Sequence, residues 1–529
     1  MNSNLITGNN PSLRMDFPDP DVIFVDGVYY MISTTMHFLP GGQILRSYDL
    51  IHWEHAAYVF DELDGTPSQK LEGDGYVYGK GMWAASLRYH EGMFYVVFVC
   101  NDTWKTYLYR SPKIDGPWVK SEISGFYHDC SLLFDDDGRI YIVYGNTKIY
   151  LTELDAELKG PKEGGLHRLI VEDVEKPRLG YEGSHLYKIN GRYYLFLIHS
   201  LADQWRRVEA CFSSDSLDGE FVGGDILNDD MGFRNSGVAQ GGIVCGVDGA
   251  WNGLLFQDSG AVGRIPVIVP VSWEKDRPVM GIDGKVPHEI SLPSSRPEYE
   301  YAPLYGSDDF KYGFAWKTEK DDGEWRREFG CFGFRSFWQF NHEPDLDLVE
   351  RDEASGTVWI TTDKLSLNLN HARNTLTQRM MYPGCGASVC IDGAFLKDGD
   401  CAGLSAFQGD YCWVGIEKKD GKLYAVMVAH KSTEGPWDLS PVAGETIEAL
   451  PLQGEKIEVR MQVLFADEKD QAVCQVKQNG EWVDIGKPHK LRFRLDHFTG
   501  TRFGLFCYSQ KETGGKAGFS EFRYEKGQV

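Results

Sequence analysis

Asp26-Gly27-Val28-Tyr29-Tyr30 reads as a tight turn that delivers a strand. Asp-Gly supplies the positive φ of a short hairpin, and the aromatics pack on a pleated surface. The figure returns as Glu91-Gly92-Met93-Phe94-Tyr95, as Asp137-Gly138-Arg139-Ile140-Tyr141 and as Asn190-Gly191-Arg192-Tyr193-Tyr194. A looser fifth copy is Asp248-Gly249-Ala250-Trp251. Successive copies lie about 45 to 65 residues apart, the period of a radial repeat. Second strands and markers follow several copies: Arg46-Ser47-Tyr48-Asp49-Leu50, Arg110-Ser111-Pro112 with Gly116-Pro117-Trp118, and Ser213-Ser214-Asp215 with Gly219-Glu220-Phe221. Each unit has room for about four strands, and convincing helical periodicity is absent. The expectation is an all-β chain opening with a five-bladed β-propeller over residues 1–300. The rival reading is a meandering β-sandwich with chance repeats.

The pattern changes near residues 290–310. Ser291-Leu292-Pro293-Ser294-Ser295-Arg296-Pro297 and Pro303 read as a linker. Beyond it, Ser388–Asp392, Tyr424–Val428, Ile457–Val463 and Gly504–Tyr508 alternate as strands, with turns at Lys419-Asp420-Gly421 and Gln478-Asn479-Gly480. This predicts a β-sandwich of jelly-roll or concanavalin-like type over residues 301–529.

At 529 residues the chain is too long for one ordinary core, and 42% hydrophobic with 25% charged residues suits a globular protein. The net charge of −24 and the lack of a basic run argue against nucleic acid and anionic membranes as partners. A neutral sugar meets no such repulsion. The apolar runs, such as Tyr95–Cys100, are strand-sized. Met1 to Met15 shows no secretory pattern, and the 11 scattered cysteines read as buried reduced thiols. These features predict a cytoplasmic protein.

In a propeller, the innermost strands of different blades meet around one funnel. Three carboxylates stand at similar places before their repeat motifs: Asp19 in Phe17-Pro18-Asp19-Pro20-Asp21, Asp129 in Tyr127-His128-Asp129-Cys130-Ser131-Leu132-Leu133, and Glu182 in Tyr181-Glu182-Gly183-Ser184-His185-Leu186-Tyr187. Each precedes its motif by about 7 or 8 residues, so equivalent blade positions would point all three inward. A carboxylate inside such an apolar strand is costly unless paired or functional. A salt bridge would account for any one of them, and less readily for three at one blade position. Asp135-Asp136-Asp137 and Asp229-Asp230 read instead as a solvated turn and a surface loop. Two inward carboxylates of different character suit glycosidic cleavage: one protonated to serve the leaving oxygen, one ionised to activate water. A third can raise the acid's pKa by like-charge repulsion.

At these residues the chain resembles glycoside hydrolase family 43. The motifs are Asn10-Pro11 with Pro18-Asp19-Pro20, Trp83-Ala84-Ala85-Ser86, His128-Asp129-Cys130-Ser131-Leu132 and Glu182-Gly183-Ser184-His185-Leu186-Tyr187-Lys188. Trp338-Gln339-Phe340-Asn341-His342, Leu376-Thr377-Gln378-Arg379 and Phe498-Thr499-Gly500 resemble the C-terminal domain of its β-xylosidase-like and arabinofuranosidase-like members. The resemblance implies an inverting hydrolase with Asp19 as general base, Glu182 as general acid and Asp129 tuning Glu182. Base and acid would then stand roughly 6.5–9.5 Å apart. It further implies substrate contacts from Trp83, from Arg264 near the acid, from Phe38 and His37 with Met36 as pocket wall, from His128, from Gln240, and from Phe498 reaching over from the sandwich. Gln240 stands where many relatives carry a histidine that can ligate a central calcium ion. No cofactor is required on this reading, and a structural calcium ion stays an open alternative. Trp-Ala-Ala-Ser and Asp129-Cys130-Ser131 also depart from the family's usual Trp-Ala-Pro-His and Asp-Pro-Ser.

The expected activity is an exo-glycosidase releasing terminal β-1,4-linked xylose from xylo-oligosaccharides. The alternative is α-L-arabinofuranose released from hemicellulose fragments, and a more distant one is a non-catalytic sugar-binding protein. The partner is an oligosaccharide substrate, and large sandwich faces could support a homo-oligomer.

Overall fold

The computed structural model describes residues 4–175, 177–313 and 328–527. Five antiparallel four-stranded sheets follow one another from Asp21 to Met280. Their first strands, Asp21–Val25, Ser86–His90, Ser131–Phe134, Glu182–Ile189 and Val238–Cys245, are neighbours around one ring, the fifth closing on the first. This is the five-bladed propeller.

The repeat turns behave as their residues require. Asp26 and Gly27 take φ of 49° and 83°, Glu91 and Gly92 48° and 81°, Asn190 and Gly191 52° and 83°. Two successive positive φ values make the turn whose twist matches the flanking strands. The alternation of each blade serves two neighbours at once. Val96 packs in a core shared with the first blade, and Val97 in one shared with the third. Leu132 faces the second blade and Leu133 the fourth. A strand buried on both faces therefore reads as a nearly continuous apolar run.

The ring is tied at its ends by backbone pairing and by one side chain. Strand Leu5–Asn9 pairs antiparallel with Glu289–Pro293. Asn10 then donates to the carbonyls of Ile268 and Pro287 at 2.7 and 2.9 Å and accepts from the Ile268 N–H at 3.0 Å.

Two expected surface acids are buried instead. Asp135 accepts from Lys188 and from the Tyr193 hydroxyl at 2.5 Å, pinning the third blade to the fourth. Asp229 accepts from Lys285 at 2.8 Å and from the Val286 N–H at 2.9 Å. Each offsets its burial with a cation and a second donor, which a run of acidic letters does not reveal.

The second domain is a two-sheet sandwich. Ser388–Asp392, Tyr424–Val428, Ile457–Val463 and Gly504–Tyr508 lie inside observed strands Gly384–Asp392, Lys422–Ala429, Lys456–Leu464 and Arg502–Ser509. Its edge does not respect the linker. Phe38–Leu39, from the loop between the second and third strands of the first blade, joins a sandwich sheet by pairing with Gln339–Asn341. Arg379 adds hydrogen bonds to the Asp16 carbonyl at 2.8 Å and to Gln43 at 2.6 Å. The 11 cysteines form no disulfide among the described residues.

Candidate active site

Adjacent blade strands run antiparallel, so the start of a first strand and the end of a second lie at the same rim. Asp21 pairs with Ile32 and Glu182 with Ile198. The funnel mouth is therefore built from two sets of segments: those leading into the first strands and those leaving the second.

Asp19 and Asp129 occupy equivalent places, each two residues before its first strand, with left-handed φ of 52° and 49°. The expectation of a mid-strand carboxylate is corrected here. Both sit in the turn at the rim, where the backbone reversal aims the side chain into the funnel. Glu182 opens the fourth blade's first strand, and a bulge follows it before His185.

Asp19 is buried and fully engaged. Thr34 donates to Oδ2 at 2.7 Å, and Arg264 donates from Nη1 to Oδ1 at 2.7 Å. Arg264 was expected near the acid; the structure pairs it with Asp19. Its Nη2 donates to the Phe498 carbonyl at 3.2 Å, and its guanidinium lies 4.6 Å from the Phe498 ring centroid. Phe498 comes from the sandwich, as expected. Asp16 holds that approach, accepting from Arg264 N–H at 2.7 Å and from Gly500 N–H at 2.8 Å.

Asp129, Glu182 and His128 form the second group. His128 Nε2 lies 3.7 Å from Asp129 Oδ1 and 3.7 Å from Glu182 Oε2. Asn146, from the end of the third blade's second strand, donates to Glu182 Oε2. Gly183 N–H donates to Asp129 Oδ2 at 3.2 Å. Burial pushes the Asp129 carboxyl up to about 7, opposed by His128 and assisted by Glu182 and Asp19. Burial works against the charged form of His128, but Asp129 and Glu182 outweigh it and hold the imidazole up to about 9. His128 thus keeps its proton through neutral pH, and Asp129 gives up its own only near it.

Trp83 joins the two groups. Its ring stacks on Phe498 at 5.3 Å and 25° and meets His128 at 5.4 Å. Gln240 lies against Gly183: a β-carbon there would stand 2.2 Å from the Gln240 amide carbon. Trp83 Nε1, Arg264 Nε and Gln240 Nε2 are buried donors with no hydrogen-bond partner among the described residues.

His37 and Phe38 face the other way. Phe38 is covered by Arg502, 3.5 Å from its centroid, and His37 packs among Phe38, Tyr78, His342 and His497. Met36 is buried beside them. The loop's pairing with the sandwich sheet turns these expected wall residues into interdomain core.

The propeller axis is occupied by protein. Arg88 of the second blade donates to Asp21 of the first at 2.6 Å, and to Ser131 Oγ and the Leu132 carbonyl of the third at 2.7 and 2.9 Å. Its guanidinium also lies 5.4 Å from the Tyr187 centroid of the fourth. A side chain that reaches three other blades lies on the axis. A calcium ion needs six to eight oxygen ligands, and a guanidinium repels it. The axial residues therefore do not fit a calcium ion, and Gln240 spends its place against Gly183.

Sequence reasoning missed Thr34, Asn146, Asp16 and Arg207. Arg207 is buried, pairs with Asp258 at 2.6 Å, and lies 5.2 Å from the Phe256 centroid, with Arg264 at 5.3 Å from the same ring. The available signal was position: Thr34, Asn146 and Arg207 all adjoin the step from a second to a third strand.

Residues 8–277 match the model of glycosyl hydrolases family 43, and residues 328–525 that of the β-xylosidase C-terminal concanavalin A-like domain. A bifunctional GH43-CE protein of Bacteroides eggerthii superposes with a TM-score of 0.87 at 36% identity, covering 99% of this chain. The chain spans 64% of that protein's length. A GH43 enzyme engineered to display both endo-xylanase and exo-arabinofuranosidase activity superposes with a TM-score of 0.85 at 25% identity, covering 98% of this chain and all of that one. A β-xylosidase of Formosa agariphila is 25% identical over 98% of this chain and 90% of its own length. Propeller, sandwich and carboxylate-lined funnel thus have one common account: the chain belongs to glycosyl hydrolase family 43 and is a glycoside hydrolase of the β-xylosidase and α-L-arabinofuranosidase type.

Proposed function

We propose that this protein is an inverting exo-glycosidase that releases terminal β-1,4-linked xylose from xylo-oligosaccharides. The observation that carries the reading is the division of the funnel. One buried carboxylate, Asp19, is held by a cation and a hydroxyl, while Glu182 stands with His128 and Asn146 and beside Asp129, whose carboxyl burial pushes up to about 7. Asp19 accepts a proton from a water as that water attacks the anomeric carbon. Glu182 donates its proton to the glycosidic oxygen as that bond breaks. Asp129, joined to the same segment through Gly183 N–H, positions Glu182. The product sugar leaves with inverted configuration, and Glu182 is reprotonated from solvent.

Terminal attack is supported by the wall that Phe498 and Trp83 build across the funnel. The buried donors on Trp83, Arg264 and Gln240 suit the hydroxyls of a neutral sugar, and the indole suits its C–H face. The match to a β-xylosidase over 98% of the chain favours xylose. The structural likeness to an enzyme with exo-arabinofuranosidase activity favours the second reading, release of α-L-arabinofuranose.

Two measurements test this together. Initial rates on para-nitrophenyl β-D-xylopyranoside and α-L-arabinofuranoside identify the sugar, with Glu182→Gln as control. Proton NMR of the first product formed identifies its anomer. Xyloside preference, loss in the variant and the α-anomer are expected. A β-anomer from the xyloside defeats inversion, and undiminished turnover in the variant defeats the role of Glu182.

A further inference from the structure

The aromatic run at the funnel continues past Phe498. The Phe498 ring also meets Trp437 at 5.6 Å and 31°, and Phe493 at 6.1 Å. Trp437 lies between sandwich strands Lys422–Ala429 and Glu445–Pro451 and is 53% exposed. The run thus leads outward, from His128 through Trp83 and Phe498 to an indole half open to solvent.

The turn carrying this indole is anchored. Arg494 donates to the Gly435 carbonyl at 3.0 Å and pairs with Asp496 at 2.7 Å. Phe498 N–H in turn donates to the Arg494 carbonyl at 3.0 Å. One arginine therefore holds both aromatics in a fixed relation. Ser432 N–H to Asp410 at 2.8 Å and Asn368 to the Val442 carbonyl at 2.8 Å secure the loop's two ends. Trp104 and Trp205 are also exposed, but Trp104 pairs with Phe126 and Trp205 lies against Arg207, and neither ring stacks on this run.

We propose that Trp437 is the platform for a sugar ring on the leaving-group side of the scissile bond, a subsite contributed by the sandwich domain. The inference rests on the glycosidase reading. Asp19, Arg264 and Trp83 take the innermost end of the run, where the terminal sugar is cut. The rest of an oligosaccharide must leave toward solvent, and Trp437 is the open end of that path. A large indole held rigidly and left half exposed beside an active site offers a flat apolar face, which pyranose C–H groups match. Stacking of a neutral ring is indifferent to the chain's negative charge.

Trp437→Ala and Trp437→Phe are compared with the unaltered protein on xylotetraose and on methyl β-D-xylopyranoside, whose leaving group has no ring. For the alanine variant we expect kcat/KM on xylotetraose to fall about threefold to tenfold, through KM, with the methyl glycoside within about twofold. The phenylalanine variant should lie between. Calorimetric titration of xylotetraose into Glu182→Gln, with and without Trp437→Ala, should show the same loss in affinity. Equal losses on both substrates would mean that Trp437 only supports Phe498, and unchanged xylotetraose kinetics and binding would remove it from recognition; either overturns the proposal. If the unaltered protein cleaves neither glycoside, the xylose reading fails, while the titration still decides whether Trp437 holds sugar.

Discussion

Arg264 donates from Nη1 to Oδ1 of Asp19 across 2.7 Å, and both side chains are buried. The carboxylate expected to activate water is thus held by a cation from the fifth blade. Removing one partner of a buried pair costs about 3–5 kcal/mol, because the other charge is stranded. Arg264→Ala should lower the melting temperature and lower kcat/KM by about a hundredfold or more. Arg264→Lys should keep much of the stability but lose the second donor, to Phe498, and so recover activity only in part. Thermal melts and initial rates on one glycoside check both.

Gly183 takes a φ of 65°, and its missing β-carbon makes room for Gln240. Gly183→Ala should therefore strain the backbone and displace the Gln240 side chain. The positive φ alone costs about 1 kcal/mol for alanine. The clash adds to that and is relieved in Gly183→Ala with Gln240→Ala. The double variant should melt above the sum of the two single losses, and an additive pair would rule out the contact.

Burial pushes His37 and His342 well below the usual imidazole value near 6.5, with His342, His497 and Arg502 adding to the effect on His37. For His342 the added neighbours are His497, Lys364 and His371. The folded rings stay neutral where the unfolded chain takes up protons. Their contribution to stability is present above about pH 6.5 and is lost as the pH falls below it toward the folded values. The melting temperature should drop between pH 7 and pH 5, and the drop should be smaller in His37→Phe. Melts across that range measure the difference, and identical slopes would exclude His37 as a source.

Arg88 puts a guanidinium on the axis, and that charge repels a metal cation. Chelation with EDTA should leave melting temperature and turnover unchanged, and added calcium should not raise either. Arg88→Met should lower the melting temperature, because Asp21 keeps its burial and loses its cation. A melting temperature that falls in EDTA and recovers with calcium would overturn this assignment.

Much of the fold was legible in the chain. The Asp-Gly, Glu-Gly and Asn-Gly turns and the aromatic strands after them are local features, and their recurrence gave the five blades. The matched spacing of Asp19, Asp129 and Glu182 from those turns carried the three carboxylates into one funnel. Less legible were the partners. Nothing in the letters pairs Arg264 with Asp19 rather than Glu182, or brings Thr34 and Asn146 to the carboxylates.

The expected pocket wall at His37 and Phe38 failed for a related reason. A two-residue strand in their loop completes a sandwich sheet just over 300 positions away, at Gln339–Asn341. Hydrogen bonding of that edge decides which way the side chains face, and no local pattern reports it. The sequence by itself determined the blades, the order of the domains and the three carboxylates, because turns and alternation are set by neighbouring residues. Only the tertiary structure decided which cation holds Asp19, what fills the axis and that Trp437 extends the aromatic run beyond Phe498, because those contacts form only when distant segments close on each other.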